Sequence, residues 1–278
     1  MSQNGLSPRA AILRHSVLVL TSAFMLVPFV WMVSLSIKPP DESFRASFSF
    51  LPAHFYGVEN YSKALTSVPI VRYMGNGFLV CASILTLQIL VCAPIAYALA
   101  KLRFAGRDLI GGLVLIGLLL PHQVLSLPLF VLGYKLGILD TYVALVFPYI
   151  VSPFGIFLFR QFFKGIPDDV VHAARLDGLS EFSIVWKVML PMALPAIIAF
   201  SIFSVVSHWN DLFWPLIAVH DGNLMPPPLG IMNFKNEEAG NDYGPLAAAS
   251  ALVVAPLLIA FLAAQKLFVE GMIGGAVK

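Results

Sequence analysis

Apolar residues of this chain are concentrated in six long runs that are separated by shorter polar stretches. A helix that crosses the hydrocarbon core of a bilayer needs about 20 apolar residues, and each run reaches that length. The predicted spans are residues 16–37, 77–100, 108–133, 141–163, 194–219 and 245–268. The pattern therefore predicts an all-α, polytopic membrane protein with six transmembrane helices, and we expect residues 1–278 to form a single transmembrane domain.

Composition points to the same class of protein. The chain is 59% hydrophobic and only 12% charged, and a soluble domain of this size could not bury so much apolar surface. The net charge of +2 is too small to indicate nucleic-acid binding or a polybasic lipid anchor. The first run is too long for the apolar core of a cleavable signal and no small-x-small cleavage site follows it, so we expect this helix to be retained.

The sequence contains no recognisable catalytic chemistry. Cys81 and Cys92 lie in one apolar run and are expected to be small packing residues. Cysteine and histidine residues do not have metal-ligand spacing, and neither a nucleophile motif nor a phosphate-binding glycine loop is present. We therefore expect neither a catalytic residue, a metal nor a cofactor in this chain, and we do not expect the chain itself to use ATP by the usual means.

Positive charge predicts the orientation in the membrane. Residues 101–107 carry three Lys or Arg, whereas residues 134–140 carry one. Short loops rich in Lys and Arg stay in the cytoplasm. The loop of residues 164–191 and both termini are therefore predicted to be cytoplasmic, with residues 38–76 and 220–244 outside.

Residues 164–191 form a polar-rich segment between two apolar runs. Ile166-Pro167-Asp168-Asp169 reads as a helix start, because proline suits the first turn and carboxylates suit the positive end of the helix dipole. Gly178 is a predicted left-handed stop. Ser180 is then a predicted cap for a second helix, with Glu181 in its first turn, and Pro191 is the predicted end. This pattern also fits an amphipathic helix that lies on the membrane surface.

One motif in this segment resembles a known family. Ala173-Ala174-x-x-Asp177-Gly178, followed by Leu190-Pro191 and Pro195, resembles the EAA loop of binding-protein-dependent ABC importer permeases. Further blocks, spread over most of the chain, are similar to the MalG-type carbohydrate permeases: Tyr97–Phe104, Pro121–Phe130, Leu136-Gly137, Arg160–Phe163, Trp209–Asp211, Trp214–Leu216 and Gly271–Lys278. The family's glutamate before the two alanines is His172 here, which would make a weaker or pH-dependent contact with the ATPase.

The resemblance implies an assembly and a transport reaction. It implies a bacterial inner-membrane permease that pairs with a second, MalF-like permease, with two ATPase subunits that hold ATP and Mg, and with an extracytoplasmic solute-binding protein. Residues 164–191, which we call the coupling loop, would contact the ATPases while a carbohydrate moves inward by alternating access. The coupling residues implied are Asp168, Asp169, His172, Ala173, Ala174, Asp177, Gly178 and Ser180.

The fifth apolar run carries a polar stripe. At about 100° per residue, Ser201, Ser204, His208 and Asp211 share one face of a regular helix. Such a stripe suits a solute rich in hydroxyl groups, although polar side chains also hold transmembrane helices together. The candidate substrate-path residues are Ser204, His208, Asn210, Asp211, Trp209, Trp214 and Gln123, with His122 as a further candidate. A regular helix would place Trp209 away from the stripe.

Two other functions fit parts of the sequence. A proton-coupled secondary transporter would use Asp211 and His208 as its protonation pair, but no internal repeat relates the two halves of the chain. An intramembrane enzyme would use His122 with the same pair, but no serine elbow or HExxH motif accompanies them. The polar stripe leaves the solute open among a disaccharide, a monosaccharide, a polyol, a sugar phosphate and a sulfonated sugar.

Overall fold

The computed structural model describes residues 8–42, 49–234 and 242–276, and the regular structure in these ranges is entirely helical. The prediction of an all-α protein is confirmed. The α-helices are α1 Pro8–Ser36, α2 Gly57–Thr66, α3 Ile70–Lys101, α4 Arg107–Leu119, α5 Ser126–Leu136, α6 Tyr142–Val146, α7 Pro153–Gly165, α8 Asp168–Leu176, α9 Glu181–Ile184, α10 Leu190–Met192, α11 Leu194–Trp209, α12 Phe213–Ala218, α13 Pro227–Gly230 and α14 Tyr243–Ala276. Short 3₁₀ turns cover Pro40–Glu42, His122–Leu125, Phe147–Tyr149 and Ile231–Phe234, and Val185–Met189 is a π-helix.

Parts of the predicted outer loops and of the C-terminal block lie outside the described residues. These parts are residues 43–48, 235–241 and 277–278. Within the described ranges, three helices are long and apolar enough to cross a membrane: Arg9–Ser36, Ile70–Lys101 and Tyr243–Ala263. Three bent helix pairs raise that number to as many as six if each pair forms one span. The six-span arrangement and the single domain stay predictions.

The described residues divide into two compact units. The first contains the chain up to Pro69 together with Ile231–Val254. Here the buried Asn60 of α2 donates through Nδ2 to the carbonyl oxygens of Ser36 and Lys38 at 3.1 and 2.8 Å. The first bond satisfies a carbonyl group that the end of α1 leaves without a helical partner, and the second satisfies one in the segment that follows α1.

The second unit contains Ile70–Gly230 and the chain from Ala255 onward. Its centre is α3, which packs against α7 and α11. Helices α7 and α11 also pack tightly against each other at Gly155 of α7, where an added Cβ would lie 2.8 Å from the ring of the buried Phe200 of α11. Buried side chains of the coupling loop, including Val171 and Ile184, belong to the same apolar cluster. The coupling loop is therefore part of the packed body of this unit.

The predicted span over residues 108–133 is broken in two. Helix α4 ends at Leu119, and the following helical stretch begins at His122 with a bend of 101°. The physical reason is Pro121, since a residue before proline is driven out of the helical region. Leu120 is indeed extended, with ψ of 121°.

The predicted span over 141–163 is bent by 44° between Tyr142–Tyr149 and Pro153–Gly165. Pro148 and Pro153 lie at this bend, and neither has a backbone N–H to continue a helical hydrogen-bond ladder. Ser152 caps the second part, because its hydroxyl accepts from the N–H of Gly155. The bend thus follows from proline positions that the sequence displays.

The treatment of residues 194–219 as one regular helix is wrong. Helix α11 ends at Trp209, and α12 begins at Phe213. The side-chain amide of Asn210 donates to the carbonyl oxygen of Val206 at 2.8 Å, and Asp211 accepts from the N–H of Phe213 at 3.1 Å. Short polar side chains that bond the local backbone in this way compete with the helical pattern, so the helix stops and restarts here.

Candidate functional site

The coupling loop folds as two short helices joined by a glycine. Helix α8 begins at Asp168 directly after Pro167, as predicted, and carries Asp168 and Asp169 in its first turn. Gly178 has φ of 79°, which confirms the predicted left-handed stop. Ser180 caps α9, because its hydroxyl accepts from the N–H of Ser183 at 3.3 Å.

The prediction that Pro191 ends the second helix is wrong. The chain stays helical from Glu181 through the π-helix and α10 to Met192, and the bend of 85° follows at Ala193. Pro191 occupies one of the first two positions of α10, where a missing N–H is tolerated. A π-helix is rare and is frequent at functional sites.

The two faces of α8 have different surroundings. Val171 and Ala174 are 2% and 6% exposed and pack into the cluster formed with α3 and α7. His172, Ala173 and Leu176 are exposed, and Leu176 is exposed to 90%. Among the predicted coupling residues, Ala174 therefore faces the interior of its own chain. The remaining members are at least partly open in this chain: Asp168, Asp169, His172, Ala173, Asp177, Gly178 and Ser180.

Polar contacts tie the coupling loop to the last turn of α3. The hydroxyl of Tyr97 donates to Glu181 Oε2 at 2.5 Å, and Arg175 donates to the same carboxylate at 2.7 and 3.2 Å. Lys101 Nζ donates to the carbonyl oxygen of Ile166 and to Asp168 Oδ1, both at 2.5 Å. These bonds join α3 to residues on both sides of α8.

The electrostatics of these contacts favour the charged forms. The hydrogen bond from Arg175 lowers the pKa of the Glu181 carboxyl, and the same contact raises the pKa of Arg175. The hydrogen bond from Lys101 lowers the pKa of Asp168. Both carboxyl groups are therefore ionised at neutral pH and hold their cationic partners.

A second candidate site is a cavity of about 760 Å³ at the bends of the third, fourth and fifth apolar segments. Ligand pockets of roughly 300–1,000 Å³ are typical for small molecules. Its wall carries both polar groups and aromatic rings, and among the described lining residues Asp211 is the single carboxylate and Lys and Arg do not occur. The lining residues are Gln88, His122, Gln123, Tyr149, Val151, Ser152, Phe154, Phe200, Phe203, Ser204, Ser207, His208, Asn210, Asp211, Leu212 and Phe213.

A hydrogen-bonded network runs along this wall. The Ser204 hydroxyl donates to Gln88 Oε1 at 2.6 Å, and Gln88 Nε2 donates to the carbonyl oxygen of Tyr149 at 2.8 Å. The Tyr149 hydroxyl donates to Asp211 Oδ2 at 2.6 Å. The rings of Tyr149 and His208 meet edge to face with centroids 4.7 Å apart. The network connects α3 to the bends in the fourth and fifth segments.

Asp211 has a structural task in this network. Its Oδ1 accepts from the N–H groups of Phe213 and Trp214 at 3.1 and 3.4 Å, while Oδ2 accepts from Tyr149. Both oxygens are therefore engaged, and the carboxylate starts α12 and holds it against the fourth segment. This combines two roles that the sequence presented as alternatives, since Asp211 lines the cavity and also holds helices together.

The cavity includes some of the predicted path residues and excludes others. Ser204, His208, Asn210, Asp211 and Gln123 lie on its wall together with His122. Trp209 and Trp214 do not line it, and both are buried. Trp214 instead donates its indole N–H to the carbonyl oxygen of Ala144 at 2.8 Å. Ser201 bonds the carbonyl oxygen of Ile197 in its own helix.

The sequence alone does not predict the roles of Gln88 and Tyr149 at the cavity, or the contacts of Tyr97 and Lys101 with the coupling loop. Gln88 is the lone amide in an apolar run, a signal that sequence alone offers. Tyr149 gives no such signal, because its role depends on the bend that brings it to Asp211. Within the described ranges, no three His, Cys, Asp or Glu side chains come together as metal ligands would.

Comparison with known proteins gives the family. The family described as "Binding-protein-dependent transport system inner membrane component" matches residues 91–274. The arabinooligosaccharides transport system permease protein AraQ of Halalkalibacterium halodurans is 33% identical over 259 residues, which cover 92% of each chain. The diacetylchitobiose uptake system permease protein NgcG of Streptomyces coelicolor is 34% identical over 93% of this chain and 86% of that protein.

The fold has a counterpart among solved structures. A chain in the crystal structure of a bacterial ABC transporter involved in the import of the acidic polysaccharide alginate superposes with a TM-score of 0.81. The match covers 95% of this chain and 99% of that chain at 23% identity, and it shows the shared fold.

The family match and the relatives show that the chain belongs to the binding-protein-dependent transport system inner membrane components, which confirms the resemblance to ABC transporter permeases. It is thus a multi-pass membrane permease whose relatives are transport proteins, not enzymes.

Proposed function

We propose that this chain is a permease subunit of an ATP-driven importer that carries a neutral, hydroxyl-rich carbohydrate into the cytoplasm. The observation that carries this proposal is the cavity of about 760 Å³ with polar walls at the bends of apolar helices. Polar groups inside a membrane are costly and mark solute pathways. The names of AraQ and NgcG, which refer to oligosaccharide uptake, support the class of solute.

The cavity chemistry favours a neutral solute. Hydroxyl, amide and imidazole groups from Ser207, Gln123 and His208 offer donors and acceptors in place of water. The rings of Phe154 and Phe203 provide apolar surface beside them. An anionic sugar would meet the Asp211 carboxylate, and the described residues that line the cavity include no Lys or Arg to compensate the charge.

The exposed face of the coupling loop is the proposed ATPase contact. His172, Ala173 and Leu176 lie on that face, and an exposed leucine flanked by small and polar residues suits a partner groove. ATP and Mg would be held by two ATPase subunits. A second, MalF-like permease would complete the pathway, and an extracytoplasmic binding protein would deliver the solute.

The proposed mechanism is alternating access. Closure of the ATPases around ATP displaces the coupling loop, and the packed helices of this unit follow because the loop belongs to their core. The cavity then opens to the opposite side of the membrane. A ligand drives such a change only by differential contact with the two states, and here that contact lies at the loop. Both termini and the coupling loop would then lie in the cytoplasm of a bacterium, in line with the excess of Lys and Arg in the short loop of residues 101–107.

Uptake into proteoliposomes tests this function. The assembled transporter is reconstituted with its binding protein, and uptake of arabinotriose, diacetylchitobiose and an alginate oligosaccharide is measured with ATP and Mg at the loop side. We expect ATP-dependent uptake of a neutral sugar and none of the acidic one. Uptake driven by a proton gradient without ATP would contradict the proposal and favour a secondary transporter that uses Asp211 and His208.

A further inference from the structure

The last turn of α3 holds the coupling loop by two separate polar contacts. We propose that Tyr97 and Lys101 are positioning residues that fasten α3 to both ends of α8, so that a displacement of the coupling loop turns α3 as one body with it. The inference rests on the proposed function, since it assigns the route by which ATPase movement reaches the cavity. Tyr97 and Lys101 are four residues apart and therefore lie on one face of the helix.

Lys101 makes the contact at the beginning of α8. Its side chain is only 5% exposed, and its ammonium bonds both the Ile166 carbonyl oxygen, which precedes the helix, and Asp168, the first residue of the helix. A buried ammonium needs such partners, because an unpaired charge away from water is costly. The contact fixes where α8 starts relative to α3.

Tyr97 makes the contact at the other end. Its buried ring places the hydroxyl on Glu181, at 2.5 Å from Oε2. Glu181 also binds Arg175 of the last turn of α8 through two hydrogen bonds. One carboxylate thereby joins α3, the end of α8 and the start of α9. Hydrogen bonds to a charged group are among the strong ones.

Attachment at two ends differs mechanically from attachment at one. Helix α8 has nine residues and is about 13 Å long, so a single contact would let it pivot about that point. The apolar contact of Val171 and Ala174 with the core is non-directional and does not fix an orientation by itself. Two hydrogen-bonded contacts to carboxylates, one at each end of α8, do fix its orientation.

The same helix reaches the cavity. Gln88 lies 13 residues before Lys101 on α3, a distance of about 20 Å along the axis. Gln88 bonds the Tyr149 carbonyl oxygen and the Ser204 hydroxyl on the cavity wall. A rotation of α3 at its C-terminal end therefore also moves Gln88, and with it the bends of the fourth and fifth apolar segments that Gln88 contacts.

The test follows access to the cavity during the ATPase cycle. Asn210, an exposed lining residue, is changed to Cys in the full transporter after the buried Cys81 and Cys92 are replaced by Ala. Labelling by an impermeant thiol reagent is compared between the nucleotide-free and the vanadate-trapped state. Tyr97→Phe removes one hydroxyl, and Lys101→Met removes one ammonium. Tyr134→Phe and Lys135→Met are the matched controls on exposed residues of α5.

Each variant of α3 is expected to reduce the nucleotide-dependent change in labelling about tenfold, the scale of one lost hydrogen bond to a charged group. Assembly and basal ATP hydrolysis should persist, and the controls should behave as the unchanged transporter. Because both ends are needed, the double variant should be no worse than either single one. A normal response in both single variants, or losses that multiply in the double variant, would overturn the two-ended clamp. A transporter that shows no nucleotide-dependent labelling even before these changes would instead refute the proposed function.

Discussion

The indole N–H of Trp214 donates to the carbonyl oxygen of Ala144 at 2.8 Å, and Ala144 lies four residues before Pro148. In a helix this carbonyl would accept from the residue four positions later, but proline has no N–H to donate. Trp214 supplies the missing donor from another helix. A proline inside an apolar segment requires a donor of this kind, because no water is available in the membrane interior to satisfy the carbonyl group.

Trp214→Phe should destabilise the protein, because a smaller aromatic ring replaces the indole and Ala144 loses its donor. The expected loss is about 1–3 kcal/mol, the cost of a buried unsatisfied acceptor. Unfolding of the purified transporter in detergent measures it. Trp186→Phe is the matched control, since Trp186 Nε1 is buried without a hydrogen-bond partner in the described part of the chain. Equal losses in the two variants would contradict the role of the indole donor.

Gln88 supplies a donor to a second carbonyl group that lacks a helical partner because of a proline, here Pro153. Its Nε2 donates to the Tyr149 carbonyl oxygen, which lies four residues before Pro153. Gln88→Met keeps the length of the side chain but removes both hydrogen bonds. We expect it to lower solute uptake about tenfold or more, because the bend in the fourth segment loses its link to α3.

Ser204→Ala provides the comparison for Gln88. It removes only the hydroxyl that donates to Gln88 and leaves the Tyr149 carbonyl satisfied, so uptake should fall much less than in Gln88→Met. Uptake and transporter yield are measured together for both variants. If Ser204→Ala lowered uptake more than Gln88→Met, the Ser204 hydroxyl would matter more for transport than the bond from Gln88 to the Tyr149 carbonyl oxygen.

The two alanines of the coupling loop should respond differently to a large residue. Ala173 is exposed, so Ala173→Trp should fold and assemble normally in the membrane but reduce ATP-dependent uptake by obstructing the partner surface. Ala174 is 6% exposed in the chain's own core, so Ala174→Trp should lower the yield of folded protein through overpacking. Chromatography of the complex and uptake separate these outcomes. Equal yields with normal uptake in both variants would argue against a docking role for this helix.

The pH dependence of the Glu181 contact has a defined sign. Because Arg175 lowers the pKa of Glu181 in the folded protein, its stabilising contribution is present above the ordinary carboxyl pKa and is lost as pH falls through the lowered value. The stability difference between wild type and Glu181→Gln should therefore stay constant from about pH 5 to pH 8 and shrink only in stronger acid. For a partly exposed pair it should be about 1 kcal/mol or less. Unfolding at a series of pH values checks this, and a difference that changes between pH 6 and pH 8 would contradict it.

Much of the coupling loop could be predicted from local sequence. The start of α8 after Pro167, the left-handed Gly178 and the Ser180 cap each depend on residues within one turn of the feature they control. Local capping and turn chemistry of this kind is visible without the fold. The burial of Ala174 cannot be predicted from the sequence, because it depends on which face of α8 meets α3 and α7.

The bends at the cavity were harder to predict. A helical wheel puts Asp211 on a regular continuation of α11, although Asn210 and Asp211 stop that helix by bonding local backbone groups. The hydrophobic period continues through this point, so it hides the break. The pairing of Gln88 with Tyr149 and of Trp214 with Ala144 requires contacts between distant segments. The prolines in the sequence show which carbonyls need a donor but not which side chain provides it.

The most direct test of ATP-driven alternating access is the accessibility of Asn210→Cys from each side of the membrane in the assembled transporter. The variant is labelled with an impermeant thiol reagent in proteoliposomes, first without nucleotide and then after trapping with ATP and vanadate. The proposed mechanism predicts labelling from the coupling-loop side without nucleotide and from the opposite side in the trapped state. Labelling from one unchanged side in both states would contradict it.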